Sequence, residues 1–361
     1  MNATSKKILI DLERLRYPNT GLANVFRNLT KGLLDTPSCI DFSYFGTLKS
    51  IREIGTDLKV IPYKHYHRFY ESFSERFDII HSSNQRSLYF RKDYTHTQKI
   101  LTLHDLNFLY EDISKHKFKK MLALVNSNLK NTDYLVCISN FVKENVLKST
   151  SLLQLDKVKE IVVIHNGITL PEDSDYPLNG KFSFLKERKY LLNIGVLFSK
   201  KNQKSLIETL PYLEEDLVLV CSEKKEPYAT ELMEHISKLG LEQRVHIFNH
   251  ISEEEKNALL QHCQALCQPS LAEGFGIPPI EAMAFGRPVF LSKCTSLPEI
   301  GAEEAFYFDN FQPESMAYTI KEGLTAYNQQ PILYFNRLKN RATAFDYRIM
   351  AQNYLDLYNR I

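Results

Sequence analysis

Residues 269–288 read PSLAEGFGIPPIEAMAFGRP, and the fold follows from how these residue types succeed one another. The run before them, ALCQ at 265–268, is short and apolar, as a buried strand is. Gly274 and Gly276 let the backbone come close to a ligand, and Pro278 and Pro279 open a helix where a missing amide proton costs little. Strand, glycine loop and helix in that order make one βα unit of a parallel sheet. The unpaired amides at such a helix start, around Phe275, Gly276 and Ile277, form an anion site suited to a diphosphate. Glu273 stands in the loop and Glu281 in the first turns of the helix, with seven residues between them. A loop carboxylate accepts hydrogen bonds from sugar hydroxyls, and one on the helix can hold the paired hydroxyls of a ribose. Acidic residues near a helix start are also favourable with no ligand at all, so each glutamate alone has a purely structural reading.

The same rhythm extends in both directions. Short apolar runs at 7–10, 77–81, 100–103, 134–138 and 161–164 read as strands in the first half, and those at 190–194, 217–221, 245–248, 265–268, 289–291 and 306–308 in the second. Amphipathic stretches near 22–34, 117–130, 140–149, 203–213, 228–239, 253–263, 279–286 and 314–327 read as helices between them. Ser252 with Glu255 forms a capping box, and Ser139 can cap the helix after the 134–138 strand. Repeated βα units predict an α/β fold with a parallel sheet in each half. The Pro-, Asp- and Gly-rich stretch 170–183 lacks periodicity and reads as a linker. The expected domains are therefore 1–170 and 184–345, each Rossmann-like, with 346–361 as a terminal helix.

At 361 residues the chain is too long for one ordinary domain and comfortable as two. Charges interrupt the first apolar run of MNATSKKILIDLERL, so no signal-peptide core forms, and no stretch approaches the roughly 18 apolar residues of a spanning helix. A cytoplasmic location follows as an expectation. The six cysteines are scattered, several in apolar runs such as YLVCI and LVLVC, where a small buried thiol is expected rather than a disulfide framework. A formal net charge of +2 conceals an excess of eight positive charges in residues 1–170 and of six negative charges in 171–361. The densest basic run, KHKFKK at 115–120, suits either a solvated helix face or an anionic membrane or acceptor. No recognition motif accompanies it, so nucleic acid is not an expected partner.

Open parallel sheets bind ligands beyond the carboxyl ends of their strands, and the singular residues of this chain follow strands. Gly21 comes shortly after the first, His104-Asp105 after ILTL, Asn166-Gly167 after IVVIH, and Gly195 after YLLNI with Lys200-Lys201 close behind. No G-x-G-x-x-G follows a strand and no G-x-x-x-x-G-K-[ST] loop occurs, which speaks against a dehydrogenase and against an ATP site of that type. Asp173-Ser174-Asp175 falls in the expected linker, and Cys263, Cys267 and His262 lack a zinc spacing, so no metal site is expected.

With these residues in view, the sequence resembles the retaining GT-B glycosyltransferases often called family 4, whose members share a Glu-x7-Glu motif in an EGFGLPPLEAMA-like segment. The likeness extends to Thr20-Gly21-Leu22-Ala23-Asn24, to His104-Asp105, to Ser139 in CISNFV, to Asn166-Gly167, to Thr295-Ser296-Leu297-Pro298-Glu299 and to Phe345-Asp346-Tyr347. The resemblance implies two Rossmann-like domains facing a cleft and a nucleotide-diphosphate sugar, of the GDP-mannose or UDP-glucose type, as donor. It implies that Lys200 and Lys201 contact the diphosphate with Gly21, Gly195, Gly274, Phe275, Gly276 and Ile277 beside it. Glu281 would then hold the ribose, Glu273 the transferred sugar, and His104 the sugar from the first domain. Where family members commonly carry Arg then Lys, this chain carries two lysines, which keeps the charge and loses the planar fork. A glycan or lipid-linked saccharide is the implied acceptor, a peripheral contact with anionic membrane accords with the basic first half, and no cofactor is implied. A nucleotide-sugar epimerase or a noncatalytic binding protein would use the same cleft, and the fold alone does not separate them.

Overall fold

The computed structural model describes residues 5–18, 20–71, 73 and 76–361, so the first four residues of the opening stretch fall outside the description. The chain divides into two units, Met1–Ile168 with Asp346–Ile361, and Thr169–Phe345.

The first unit is a seven-stranded sheet with β1 (Lys7–Asp11), β2 (Asp41–Gly46), β3 (Val60–Pro62), β4 (Ile79–Ser82), β5 (Gln98–Leu103), β6 (Tyr134–Cys137) and β7 (Glu160–Val163). Its order is β3-β2-β1-β4-β5-β6-β7, parallel throughout. The strand order reverses between β1 and β4, which makes their carboxyl ends the switch point where open sheets take ligands. Helices α1 (Gly21–Asp35), α2 (Leu48–Arg52), α3 (Lys115–Leu129) and α4 (Asn140–Lys148) connect the strands. Thr20 caps α1 by accepting from the Ala23 amide, and Ser139 caps α4 by accepting from Val142; such caps contribute about 1 kcal/mol each.

The second unit carries β8 (Tyr190–Ile194), β9 (Asp216–Cys221), β10 (Val245–Asn249), β11 (Ala265–Gln268), β12 (Val289–Ser292) and β13 (Phe306–Phe308) in the parallel order β10-β9-β8-β11-β12-β13. Here the order reverses between β8 and β11. Helices α5 (Gln203–Thr209), α6 (Tyr228–Lys238), α7 (Glu253–His262), α8 (Ile277–Ala284), α9 (Leu297–Gly301), α10 (Pro313–Gln329) and α11 (Pro331–Thr343) complete it. The capping box closes both ways: the Glu255 amide donates to Ser252 Oγ at 3.1 Å and the Ser252 amide to Glu255 Oε2 at 2.7 Å.

Helix α12 (Tyr347–Arg360) belongs to the first unit. Of its seven buried residues, Tyr347, Met350, Ala351, Tyr354, Leu355 and Tyr358 recur at helical spacing and form one face, with Leu357 beside it. That face packs on α1 where Gly32 leaves room: a Cβ there would stand 2.5 Å from Ala351 Cβ. At Gly167 a Cβ would stand 2.5 Å from Tyr347 Cα, so the pre-linker Asn166-Gly167 pair is explained by close backbone approach. Tyr358 and Tyr354 also reach His81 and Thr102 in a fully buried chain of hydrogen bonds: His81 Nδ1 to Tyr358 at 2.6 Å, His81 Nε2 to Thr102 at 2.7 Å, and Thr102 to Tyr354 at 2.9 Å.

The boundary between the units falls just before the 170–183 stretch, which packs on the second unit: the Tyr176 amide donates to Gln261 on α7 at 2.8 Å and Phe182 is buried. Strands β2 and β3 had no counterpart in the periodic pattern; β2, DFSYFG, is only partly buried in its first half and β3 is a three-residue edge.

Candidate active site

At the switch point of the second unit, the loop after β8 and the loop after β11 meet. Lys200 and Lys201 sit in one 3-10 turn, Ser199–Lys201, and the Leu271 amide donates to the Lys200 carbonyl at 2.7 Å, which joins the two loops. Lys201 Nζ pairs with Glu273 Oε1, and the same oxygen accepts from Gln268 Nε2 at 3.0 Å and Ser270 Oγ at 2.9 Å. Among the described residues no donor reaches Glu273 Oε2, so that oxygen keeps its capacity to accept. Burial alone would raise the Glu273 carboxyl pKa; the Lys201 ammonium and the hydrogen bonds from Lys201, Gln268 and Ser270 outweigh it, and the pKa lies below the ordinary value.

The glutamate loop is held from behind by the segment after β12. Glu273 N donates to Thr295 Oγ1 at 3.0 Å, Ser296 Oγ donates to the Phe275 carbonyl at 2.6 Å, and Ser292 Oγ to the Ser270 carbonyl at 2.5 Å. Two of these hydroxyls, on Thr295 and Ser296, give the TSLPE segment its role, and the third, on Ser292, ends β12. Gly276 caps α8 at φ 116°, a conformation that favours glycine, with Leu297 Cδ2 3.0 Å from where a Cβ would stand. Because Pro278 and Pro279 lack amide protons, the first turn of α8 offers Ile277 and Ile280 as its donors rather than a full set. Phe275 is buried against Phe345 with ring centroids 5.8 Å apart.

Glu281 on α8 accepts from Lys256 Nζ of α7 at 2.8 Å, and the same ammonium pairs with Glu253 at 2.8 Å. The Lys256 side chain is only 15% exposed. Burial works to lower its pKa, but Glu281 and Glu253 raise it above the ordinary value. Lys256 escaped the sequence reading; its only signal was an apolar-faced helix with a lysine three residues after Glu253.

His104 and Gly21 belong to the first unit. His104, following β5, donates from Nε2 to the Ser83 carbonyl at 2.8 Å, and Gln85 Oε1 accepts from its amide at 3.2 Å. Burial lowers the imidazole pKa and the Ser83 bond only partly offsets it, so His104 is neutral with its proton on Nε2. It lines a pocket of about 300 Å³ beyond β1, β4 and β5, together with Arg14, Thr20, Asn84, Arg86 and Asp105. Gly21 opens α1 at the pocket's edge, and a Cβ there meets nothing within 4 Å, so space in this unit does not demand glycine. At Gly195 a Cβ would stand 3.7 Å from Lys201 Cε, an ordinary contact. His81 is buried in the core of the first unit. Among the described residues no group of three or more His, Cys, Asp or Glu is placed to hold a metal ion, and no helix is long and apolar enough to cross a membrane.

Residues 178–336 match the family profile described as glycosyl transferases group 1. The matched residues lie within the second unit. The chain as a whole has the GT-B fold: it aligns over 98% of its length with the whole of the Anabaena HepE structure in complex with UDP-glucose, at 18% identity and TM-score 0.74. The lipopolysaccharide outer core galactosyltransferase WaaB aligns over 99% of this chain with a TM-score of 0.68 and 17% identity. In sequence the chain is 28% identical over 260 residues to the O-antigen chain mannosyltransferase RfbU of Salmonella typhimurium, covering 70% of this chain and 67% of that protein. It is 42% identical over 89 residues to the MMP alpha-(1->4)-mannosyltransferase of Mycolicibacterium hassiacum, spanning 21% of that protein. The group 1 match therefore covers the unit that holds Lys200, Lys201, Glu273 and Glu281.

Proposed function

We propose that this GT-B chain transfers a hexose, mannose ahead of glucose, from a nucleotide-diphosphate sugar to a glycan or lipid-linked glycan acceptor, with retention at the anomeric carbon. The observation that carries the reading is the charge arrangement at the second switch point. Two lysines and the α8 amides stand beside a carboxylate whose second oxygen has no donor among the described residues. The similarity to RfbU and to the mycobacterial enzyme, both mannosyltransferases, supports the choice of mannose.

In this reading Lys200, Lys201 and the amides near Gly276 and Ile277 stabilise the negative charge that develops on the diphosphate as the C1–O bond breaks. Gly195 and Gly274 let the backbone approach the phosphates. Glu281, fixed by Lys256, accepts from the ribose hydroxyls. Glu273 and His104 hold hydroxyls of the transferred sugar. The acceptor oxygen bonds to C1 on the face the diphosphate leaves, and its proton passes to a phosphate oxygen, which balances the transfer without a protein nucleophile. Donor binding requires no divalent metal, since the lysines supply the positive potential. The protein works in the cytoplasm, with the basic α3 start touching anionic membrane.

The test is mass analysis after mixing the chain with a panel of nucleotide sugars and acceptor glycans in chelator. Free nucleotide together with a glycosylated acceptor supports transfer. Isomerised sugar still attached to its nucleotide identifies an epimerase, and unchanged bound donor identifies a binding protein. Loss of nucleotide-sugar binding in chelator overturns metal independence.

A further inference from the structure

Glu273 Oε1 collects its donors from two directions. Lys201 reaches it from the loop after β8, while Gln268 Nε2 and Ser270 Oγ reach it from the end of β11, at 3.0 and 2.9 Å. Gln268 is fully buried, and a second buried amide sets its orientation. Asn193 on β8, 1% exposed, donates from Nδ2 to Gln268 Oε1 at 3.1 Å and to the Cys267 carbonyl at 2.8 Å. Gln268 Nε2 also donates to Ser270 Oγ at 3.1 Å, which leaves the serine proton for Glu273.

A side-chain amide has one accepting end and one donating end, and the end that faces a carboxylate decides whether the contact attracts or repels. A backbone carbonyl only accepts, so Cys267 fixes which end of Asn193 faces β11. Asn193 then occupies the Gln268 oxygen and turns the Gln268 NH2 group to Glu273. Reversing either amide sets two buried oxygens against each other with no proton between them. The bonds therefore run one way, from the Cys267 carbonyl through Asn193 and Gln268 to the carboxylate.

Holding the sheet together does not account for the pair. Strands β8 and β11 are already parallel neighbours with Leu192 opposite Leu266, and two apolar side chains of the same shape would fill the space with no polar group to satisfy. What two amides add is direction at the end of the chain, and the end is Glu273. Burial works to raise the Glu273 pKa; the Lys201 ammonium opposes it first, and the Gln268 and Ser270 bonds after it. We infer that Gln268 is a positioning residue for Glu273, held in its donating orientation by Asn193, and that the pair gathers donors on Oε1 so that Oε2 remains to accept from a hydroxyl of the transferred sugar. The inference rests on the reading of Glu273 given above and extends its site to two residues outside the motif.

The test has two readouts. One is nucleotide release from GDP-mannose or UDP-glucose, whichever turns over faster, at saturating donor with methyl α-mannoside as acceptor, measured beside the affinity for the free nucleotide. The other is the titration of the Glu273 carboxyl in chain labelled with carbon-13 at glutamate Cδ, its resonance assigned by its absence in Glu273→Gln. Gln268→Leu should lower turnover about 10-fold, the scale of one charge-assisted hydrogen bond, with nucleotide affinity unchanged and the Glu273 titration moved to higher pH. Asn193→Leu should do the same to a smaller degree. Because Asn193 acts through Gln268, the double variant should lose no more than Gln268→Leu alone. Gln268→Glu keeps the shape and the bond from Asn193 but sets a second carboxyl beside Glu273. Its turnover should be depressed at neutral pH and recover, relative to the unmodified chain, as pH falls and a shared proton restores a donor. That variant decides the matter if the leucine variants fail to fold.

A folded Gln268→Leu with unchanged turnover, or with an unmoved Glu273 titration, overturns the inference. So does nucleotide affinity falling in step with turnover, which would make the pair a support for the nucleotide. Losses that add in the double variant remove the orienting role of Asn193. Failure of the unmodified chain to release nucleotide would instead sink the glycosyltransferase reading, and the titration would still decide whether Gln268 sets the Glu273 carboxyl.

Discussion

The two switch points present opposite electrostatic states. In the second unit both glutamates of the motif already have a cation, Glu273 with Lys201 and Glu281 with Lys256. In the first, Arg86 has no ion pair among the described residues and Arg14 stands 3.7 Å from Glu13. A site whose charges are paired before ligand arrives is preorganised: the side chains are fixed, and a ligand exchanges partners within an existing network. The same sheet geometry thus carries two charge arrangements, and the difference lies in which loop residues carry charge rather than in the strands.

The sharpest way to break the comparison is to remove charge from Glu273. Glu273→Gln keeps size and leaves Lys201 without its partner. Turnover at saturating donor should fall by about 10- to 1000-fold, the scale of one transition-state electrostatic contact, while free-nucleotide affinity stays nearly intact. Unchanged turnover in a folded variant would reduce Glu273 to a loop-shaping residue, and with it the preorganised character of the second site.

The first unit also carries two buried groups with opposed titrations, on adjacent strands with Ile10 opposite His81. Burial lowers the His81 pKa to about 3 from 6.5, so its contribution to stability is lost as pH falls below 6.5, because the unfolded chain takes the proton first. Burial raises the Asp11 pKa to about 7 from 3.8, so its contribution is present in acid and lost as pH rises from 3.8 toward 7. Between pH 7 and 5 each amounts to about 2 kcal/mol, of opposite sign. Their sum is nearly flat, and single variants expose the parts. Relative to the unmodified chain, denaturant midpoints of His81→Gln should rise on acidification and those of Asp11→Asn should fall. Parallel pH curves for all three proteins would remove both assignments.

Lys256 tests whether pairing in the second unit positions the ribose ligand. Lys256→Met keeps the buried stem and leaves Glu281 without its ammonium, so affinity for donor and free nucleotide should fall together by about 10-fold, the cost of unfixing one buried charge-assisted bond. Lys256→Arg should recover most of it. A change in turnover without a change in nucleotide affinity would separate Glu281 from the ribose.

Much of the frame was legible in the sequence because the apolar βα rhythm is strong where strands are buried on both faces, as in β5, β8, β9 and β11. Strand β3 was missed because a three-residue edge needs little apolar surface, and β2 because Asp41 and Ser43 interrupt its apolar run. The glutamate loop could be read because glycine, proline and acid stand together in sequence. Lys256 could not, because its meaning depends on α7 lying beside α8, a tertiary fact. Arg14 and Arg86 were invisible for the same reason: they lie 72 positions apart and converge only when β1 pairs with β4.

The smallest expected effect concerns the start of α3, where Lys115, Lys117, Lys119 and Lys120 are exposed and no acidic residue stands in the first turn. Cations at a helix N-terminus oppose the macrodipole, at a cost of about 0.3–1 kcal/mol near the end. Ser114 offsets part of this by accepting from the Lys117 amide at 3.3 Å. An arrangement that costs helix stability on an exposed surface is explained if an anionic surface covers it. Lys115 and Lys119 lie on one helix face, four residues apart. Replacing both with alanine should therefore raise thermal stability slightly while weakening sedimentation with anionic vesicles about 3- to 10-fold at low salt, and the difference should vanish as salt rises. Stability that rises with no change in vesicle binding would leave the lysines as a solvated face.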